Sequence, residues 1–201
     1  MSRILLITSS PRAESYSTRV ARTLAKRLAA KPDTSVVVRD LTREPLPHID
    51  DTFAVARNTP AEHLTASQRA ALRLSDELLK ELNAADTLII AAGMINFGIP
   101  STLKAYIDYI LRPGVSFRYT DKGPEGLVKG KKAYLVLARG GNYSAAPMQA
   151  FNFQDPYLRA ALGLIGITDI EVIAVEGVAY GPAAAESAVS AALGQVAALA
   201  A

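Results

Sequence analysis

The sequence predicts an α/β fold: one doubly wound parallel sheet of five strands, order 2-1-3-4-5, with helices on both faces. Three observations predict it. Five short apolar runs alternate with segments of helical periodicity along the chain. Three of those runs, Ile4–Ile7, Leu88–Ala92 and Tyr134–Leu137, are almost continuously apolar, as strands covered on both faces are. The same three end in loops of unusual composition, at the strand ends where open α/β sheets bind ligands.

The first element sets the pattern. Arg3–Ile7 is a strand, and it turns abruptly into Thr8-Ser9-Ser10-Pro11-Arg12. A helix follows, with Val20, Leu24 and Leu28 four residues apart on one stripe. A helix N-terminus beyond a strand offers free N–H groups and a positive dipole end, which suit a phosphate. Ser10, Ser15 and Ser17 would complete that cradle with hydroxyls, and Arg12 with charge. The competing reading is local: Ser15 or Ser17 simply caps the helix. No G-x-G-x-x-G follows the strand and no G-K-[ST] is present. Lys129-Gly130-Lys131-Lys132 precedes a strand and reads as a solvated turn. A phosphate loop built from hydroxyls suits a mononucleotide, with FMN the leading candidate.

Composition narrows the classes. The 201 residues suffice for one domain, 1–201, with a full core, and half of them are hydrophobic. The net charge is +3 with basic residues scattered, so no nucleic-acid footprint stands out. There is no cysteine, which excludes disulfides, thiolate metal sites and a Cys nucleophile and fits a cytoplasmic setting. His48 and His63 read as surface residues, and no metal site is expected. No signal peptide or membrane-spanning segment is expected.

Further along, Thr34–Arg39 is a short β-branched strand ending at Asp40, and Leu41–Pro60 reads as irregular. Thr65-Ala66-Ser67-Gln68 has the capping-box form, and Leu74, Leu78 and Leu82 stripe the helix after it. The strand Thr87–Ala92 ends in Gly93-Met94-Ile95-Asn96-Phe97-Gly98, before a helix opened by Pro100. Met94, Ile95 and Phe97 are apolar where loops are usually polar. They either carry a flat aromatic ligand or plug the end of the core. Pro113–Lys132 reads as a hairpin-like excursion. Its Phe117 and Tyr119 either wall a substrate pocket or pack the excursion onto the domain. The strand Ala133–Leu137 runs into Ala138-Arg139-Gly140-Gly141-Asn142-Tyr143, where paired glycines admit close approach by a ligand or make an ordinary turn. A helix from Gln154 to Leu164, a strand Ile170–Val175 and a surface helix from Ala183 to Ala201 complete a flavodoxin-like order.

The chain also resembles a known family, the FMN-dependent NADH-azoreductases, which are flavodoxin-like quinone reductases. The resemblance spans almost the whole length. It rests on Ser10-Pro11-Arg12 with Ser15-Tyr16-Ser17, on Met94-Ile95-Asn96-Phe97, on Pro100-Ser101-Thr102-Leu103-Lys104 and on Gly114–Tyr119. Gly123–Leu127, Gly130–Ala133, Arg139-Gly140-Gly141 and Leu162–Asp169 add to it. It implies a homodimer with flavin sites at the subunit interface, reducing quinones and aromatic azo compounds with NADH or NADPH. The family usually has Tyr where this chain has Ile95, Ser or Thr at Ala138, and often His at Asn142. The first two changes each remove a hydroxyl from a flavin loop.

FMN would then be held by Ser10, Arg12, Ser15, Tyr16 and Ser17 at its phosphate, and by Met94, Ile95, Asn96, Phe97, Ala138, Arg139, Gly140 and Gly141 at its ring. N–H groups around Asn96 and Phe97 would address O4 and N5, and those of Gly140 and Gly141 would face N1 and O2, where reduction places negative charge. Phe97, Phe117, Tyr119, Asn142 and Tyr143 would line the substrate pocket. No side chain is expected to act as a catalytic acid or base, since the flavin carries the chemistry in a two-electron ping-pong cycle. The alternatives are a flavodoxin-like electron carrier and an NADPH-preferring FMN reductase.

Overall fold

A computed structural model of the chain describes residues 2–199. The ends of the predicted domain and the last two residues of its closing helix lie outside that range. The parallel sheet is built from β1 (Ser2–Thr8), β2 (Thr34–Asp40), β3 (Thr87–Gly93), β6 (Lys132–Ala138) and β7 (Asp169–Val175). They lie in the order β2-β1-β3-β6-β7, which is the predicted 2-1-3-4-5. The remaining strands, β4 (Phe117–Thr120) and β5 (Gly123–Gly126), pair antiparallel as a separate hairpin.

Side-chain alternation along the central strands divides the core into two layers. Ile4, Leu6, Ile89, Val136 and Ile173 face α1 (Tyr16–Leu28) and α6 (Pro182–Leu199). Leu5, Ile7, Leu88, Ile90 and Leu135 face α3 (Ala66–Ala84), α4 (Ser101–Ile110) and α5 (Gln154–Ile165). Because β1, β3 and β6 are buried on both faces, their sequences lack the alternation of a half-exposed strand. The edge strand β2 differs: Val36, Val37 and Val38 remain exposed.

The helix signals resolve individually. Thr65 and Gln68 make both bonds of the capping box that opens α3. Its buried stripe runs through Leu72, Ser75, Leu78, Leu79 and Leu82, while Leu74 lies at the margin. The stretch read as irregular contains a six-residue helix, α2 (Asp51–Ala56), in which the Asp50 side chain accepts from Phe53 N–H at 2.8 Å. Phe53 anchors it in the core, edge-on to Tyr109 with ring centroids 4.8 Å apart.

The hairpin departs from α4 at the amino edge of the sheet and is pinned there. Leu127 N–H donates to Ser116 O at 2.9 Å, and Val128 N–H to Ile165 O at 2.8 Å. Gly126 packs directly on the α5 cap, where a Cβ would meet Gly166 N at 2.1 Å. The loops after β1, β3, β6 and β7 all emerge at the opposite, carboxyl edge.

Candidate flavin site

Four loops and the start of one helix converge at the carboxyl edge on a cleft of about 300 Å³. The loop after β1 contributes Ser10, Pro11 and Arg12, and the first turn of α1 contributes Tyr16 and Ser17 with the cap Ser15. The loop is tied down on several sides. Ser9 Oγ donates to Ala91 O at 2.9 Å, Thr42 Oγ1 to Ser10 O at 3.0 Å, and Thr102 Oγ1 to Ser9 O at 3.3 Å. Ser15 is the N-cap, accepting from Thr18 N–H at 3.2 Å, and it lines the cleft as well. Tyr16 and Ser17 occupy the first two helical positions, whose N–H groups have no partner inside a helix. Arg12 is exposed at the mouth, its guanidinium 5.6 Å from the centre of the Tyr16 ring.

The loop after β3 supplies Gly93, Met94 and Ile95. Ile95 and Gly98 exchange both backbone hydrogen bonds, at 3.1 and 3.0 Å. Between them Asn96 and Phe97 have φ of 47° and 70°. Two successive positive φ values make this a type I′ turn, which normally selects Asn-Gly. Phe at the second position is strained, since the left-handed region costs a side chain about 1–2 kcal/mol. Among the described residues, nothing accepts from the N–H of Asn96 or Phe97. Strain and two free donors thus coincide beside the cleft.

The loop after β6 brings Ala138 and Gly140 to the cleft wall, and the two loops are joined by Met94 N–H donating to Ala138 O at 2.8 Å. The carbonyls of Arg139, Gly140 and Gly141 accept from the N–H groups of Val178, Ala179 and Gly177, at 3.2, 3.0 and 3.3 Å. The N–H groups of Gly140 and Gly141 have no acceptor among the described residues.

Of the predicted ring contacts, Met94, Ile95, Ala138 and Gly140 line the cleft; Asn96, Phe97 and Gly141 flank it with backbone donors. The Arg139 side chain departs from expectation: it turns into the protein, is 1% exposed, and pairs with Glu176 at 2.9 Å. Burial alone would raise the Glu176 pKa, but hydrogen bonds from Arg139, Ser144 and Tyr143 N–H outweigh it and hold the carboxyl below its ordinary value. Phe117 is also corrected. It is buried in the core at the hairpin base, where its apolar ring packs the excursion to the domain. Tyr119 stacks edge-on against it, 75% exposed, on the hairpin rooted at the other edge of the sheet. Neither lines the cleft of its own chain.

Asn142 is exposed beside Gly177, and Tyr143 packs toward Phe97 with centroids 6.3 Å apart. Phe151, which sequence reasoning did not single out, completes this cluster 5.4 Å from Phe97. Val178 and Ala179, on the loop after β7, were missed as well. Their signal was present: Gly177 and Gly181 bracket them shortly after the apolar run Ile170–Val175. A larger groove of about 640 Å³ lies alongside, between α1 and α6, but neither the β3 nor the β6 loop reaches it.

These donors suit a planar ring rich in acceptors joined to a phosphate, as FMN is. Comparison with known proteins agrees. Residues 2–200 match a family model described as a flavodoxin-like fold. A protein of Rhizobium etli named FMN-dependent NADH:quinone oxidoreductase 1 is 57% identical over 197 residues, covering 98% of this chain and 97% of its own. An FMN-dependent NADH:quinone oxidoreductase of Rhizobium johnstonii is 54% identical with the same coverage. Among solved structures, an azoreductase from Bacillus anthracis superposes with a TM-score of 0.91 at 30% identity, over 100% of this chain and 99% of that one. An FMN-dependent NADH-azoreductase from the same species, in complex with FMN, gives 0.86 at 25% identity over the full length of both. The chain belongs to this flavodoxin-like family of FMN-dependent NADH:quinone oxidoreductases.

Proposed function

We propose that the chain binds FMN in the carboxyl-edge cleft and uses NADH to reduce quinones and aromatic azo compounds by two electrons. The observation that carries this reading is the pairing of unsatisfied backbone donors. Asn96 and Phe97 present two N–H groups from one loop, Gly140 and Gly141 present two from another, and the hydroxyl-bearing N-terminus of α1 lines the same cleft. Bound FMN supplies the redox chemistry. The chain's own part is electrostatic and steric. Ser15, Ser17 and the first-turn N–H groups of α1 would hold the phosphate, and Arg12 would add charge at the mouth. Gly140 and Gly141 would offer fixed donors to the ring edge that gains negative charge, at no cost of reorganisation. The Phe97, Tyr143 and Phe151 cluster would give a planar acceptor an aromatic surface.

We further propose a homodimer. Ile95, Phe97, Phe151 and Phe153 are all exposed around the cleft, and an apolar groove with Ile99, Pro156 and Tyr157 continues that surface. A second copy covering it would shelter the ring, and the exposed hairpin residue Tyr119 would then be free to reach a neighbouring cleft. The cysteine-free sequence fits a cytoplasmic location. NADPH would serve as a second donor, with Arg22 and Arg43 beside the phosphate loop as the charges that meet its extra phosphate.

The test is a visible spectrum of purified protein reconstituted with FMN, followed by anaerobic addition of NADH and then a simple quinone. Bleaching by NADH and recovery of colour with quinone are expected. Protein that takes up no FMN, or bound FMN that NADH leaves oxidised, overturns the reading. Light scattering after size exclusion reports the dimer.

A further inference from the structure

The turn bearing Gly140 and Gly141 is held by a buried polar network. Arg139 Nη1 donates to Glu176 Oε1 at 2.9 Å and to Ser144 Oγ at 3.2 Å, and its Nε donates to Gln154 Oε1 at 3.1 Å. Gln154, itself fully buried, donates onward to Ala92 O at 3.3 Å. Glu176 Oε1 also accepts Tyr143 N–H at 2.8 Å. One guanidinium therefore ties together the end of β3, the turn after β6, the start of α5 and the loop after β7.

The consequence lies in two peptide planes. A trans peptide points its N–H opposite to its C=O. The Arg139 carbonyl is held by Val178 N–H, so the N–H of Gly140 in the same plane points away from the 177–179 segment. The Gly140 carbonyl is held by Ala179 N–H, which fixes the N–H of Gly141 likewise. Both bonds depend on the 177–179 segment lying against the turn, and Glu176, the residue before that segment, is what Arg139 grips.

We propose that Arg139 and Glu176 are a positioning couple for the flavin: the hydrogen bond between them fixes the two donor planes and thereby favours reduced over oxidised FMN. The proposal rests on the FMN reading of the cleft. The pair carries no net charge, so it acts by geometry and not by field. Replacing both partners with apolar side chains of similar volume is often close to neutral for folding, whereas removing one strands the other. The decisive variant is therefore R139M/E176M. Its unfolding temperature, its dissociation constants for oxidised and reduced FMN, and the midpoint potential of its bound FMN are measured by thermal melts and spectroelectrochemistry.

The expected result is a folded protein that binds oxidised FMN within about threefold of wild type and reduced FMN about tenfold more weakly, lowering the two-electron midpoint potential by about 30 mV. E176Q keeps an acceptor in place for Arg139 and Tyr143 N–H, and its potential is not lowered. Should the double variant not fold, E176D withdraws the carboxylate by one methylene at unchanged charge and is expected to lower the potential in the same direction. A wild-type potential in a folded R139M/E176M or E176D protein that binds FMN overturns the positioning role alone. So does a fall in E176Q as large as that in the double variant. A wild-type chain that binds no FMN overturns the function reading and this role together.

Discussion

Ser15 Oγ and Ser17 Oγ lie 3.1 Å apart in the first turn of α1, yet only Ser15 is engaged in holding the helix, accepting Thr18 N–H at 3.2 Å. Ser17 is fully buried and has no bond to the backbone among the described residues. Both hydroxyls line the cleft, but only Ser15 also caps the helix. Ser15→Ala is expected to cost about 1 kcal/mol of stability through loss of the cap. Ser17→Ala is expected to leave the melting temperature nearly unchanged and weaken FMN about tenfold, the equivalent of one lost hydrogen bond of about 1.4 kcal/mol. Thermal melts of the apoprotein and fluorescence titration with FMN check both.

The strained turn at Asn96 and Phe97 makes the second prediction. Asn96→Gly keeps the positive φ and the N–H, so FMN affinity is expected to stay within about threefold of wild type. Phe97→Pro fixes φ near −65° and removes the donor, so it is expected to abolish the turn and weaken FMN by well over tenfold. The apoprotein melt separates this from global unfolding, because the turn lies outside both core layers. Equal FMN affinity in the two variants would remove this loop from the site.

Glycines in and next to α5 give opposite responses to the same change. Gly126→Ala places a methyl 2.1 Å from Gly166 N and 2.3 Å from Ile165 C, both backbone atoms that cannot rotate away. It is expected to destabilise by about 1–3 kcal/mol or more and to release the hairpin. Gly163→Ala, inside α5, meets nothing within 4 Å and is expected to stabilise by about 0.5–1 kcal/mol. Urea denaturation midpoints, with the slope held constant, report both.

Glu176 predicts a pH effect with a definite sign. Its folded-state pKa lies below the ordinary glutamate value, held down against burial by the bonds from Arg139, Ser144 and Tyr143 N–H. A carboxyl depressed on folding contributes stability that is fully present above its unfolded pKa and is lost as pH falls through the folded value. The wild-type unfolding temperature is therefore expected to decline through the acid range below the ordinary glutamate pKa. E176Q, lower at neutral pH, is expected to lose less over that same range. Parallel profiles for the two proteins would deny the carboxylate this role.

The parallel core was legible because burial on two faces leaves a plain mark. Ile4–Ile7, Leu88–Ala92 and Tyr134–Leu137 are continuous apolar runs, and the strand order followed from their alternation with amphipathic helices. The capping box at Thr65 and Gln68 was equally visible, since it is a contact between residues three apart. Helix α2 was missed because six residues are too few to display a helical period, although Asp50 and Asp51 carried the start signal.

The amino-acid sequence by itself determined the sheet, its carboxyl-edge loops, the hydroxyl cradle at α1 and the family likeness, because each is written in short-range periodicity or in contiguous motifs. Tertiary structure alone decided which side chains face the cleft. Arg139 sits between two cleft-lining residues yet turns inward, because a carboxylate 37 positions further along the chain is waiting for it. Phe117 looked like a pocket wall and is core, because the hairpin it begins is anchored at the other edge of the sheet by Gly126 against Gly166. Partners so distant in sequence leave no local pattern, and only packing brings them within reach of one another.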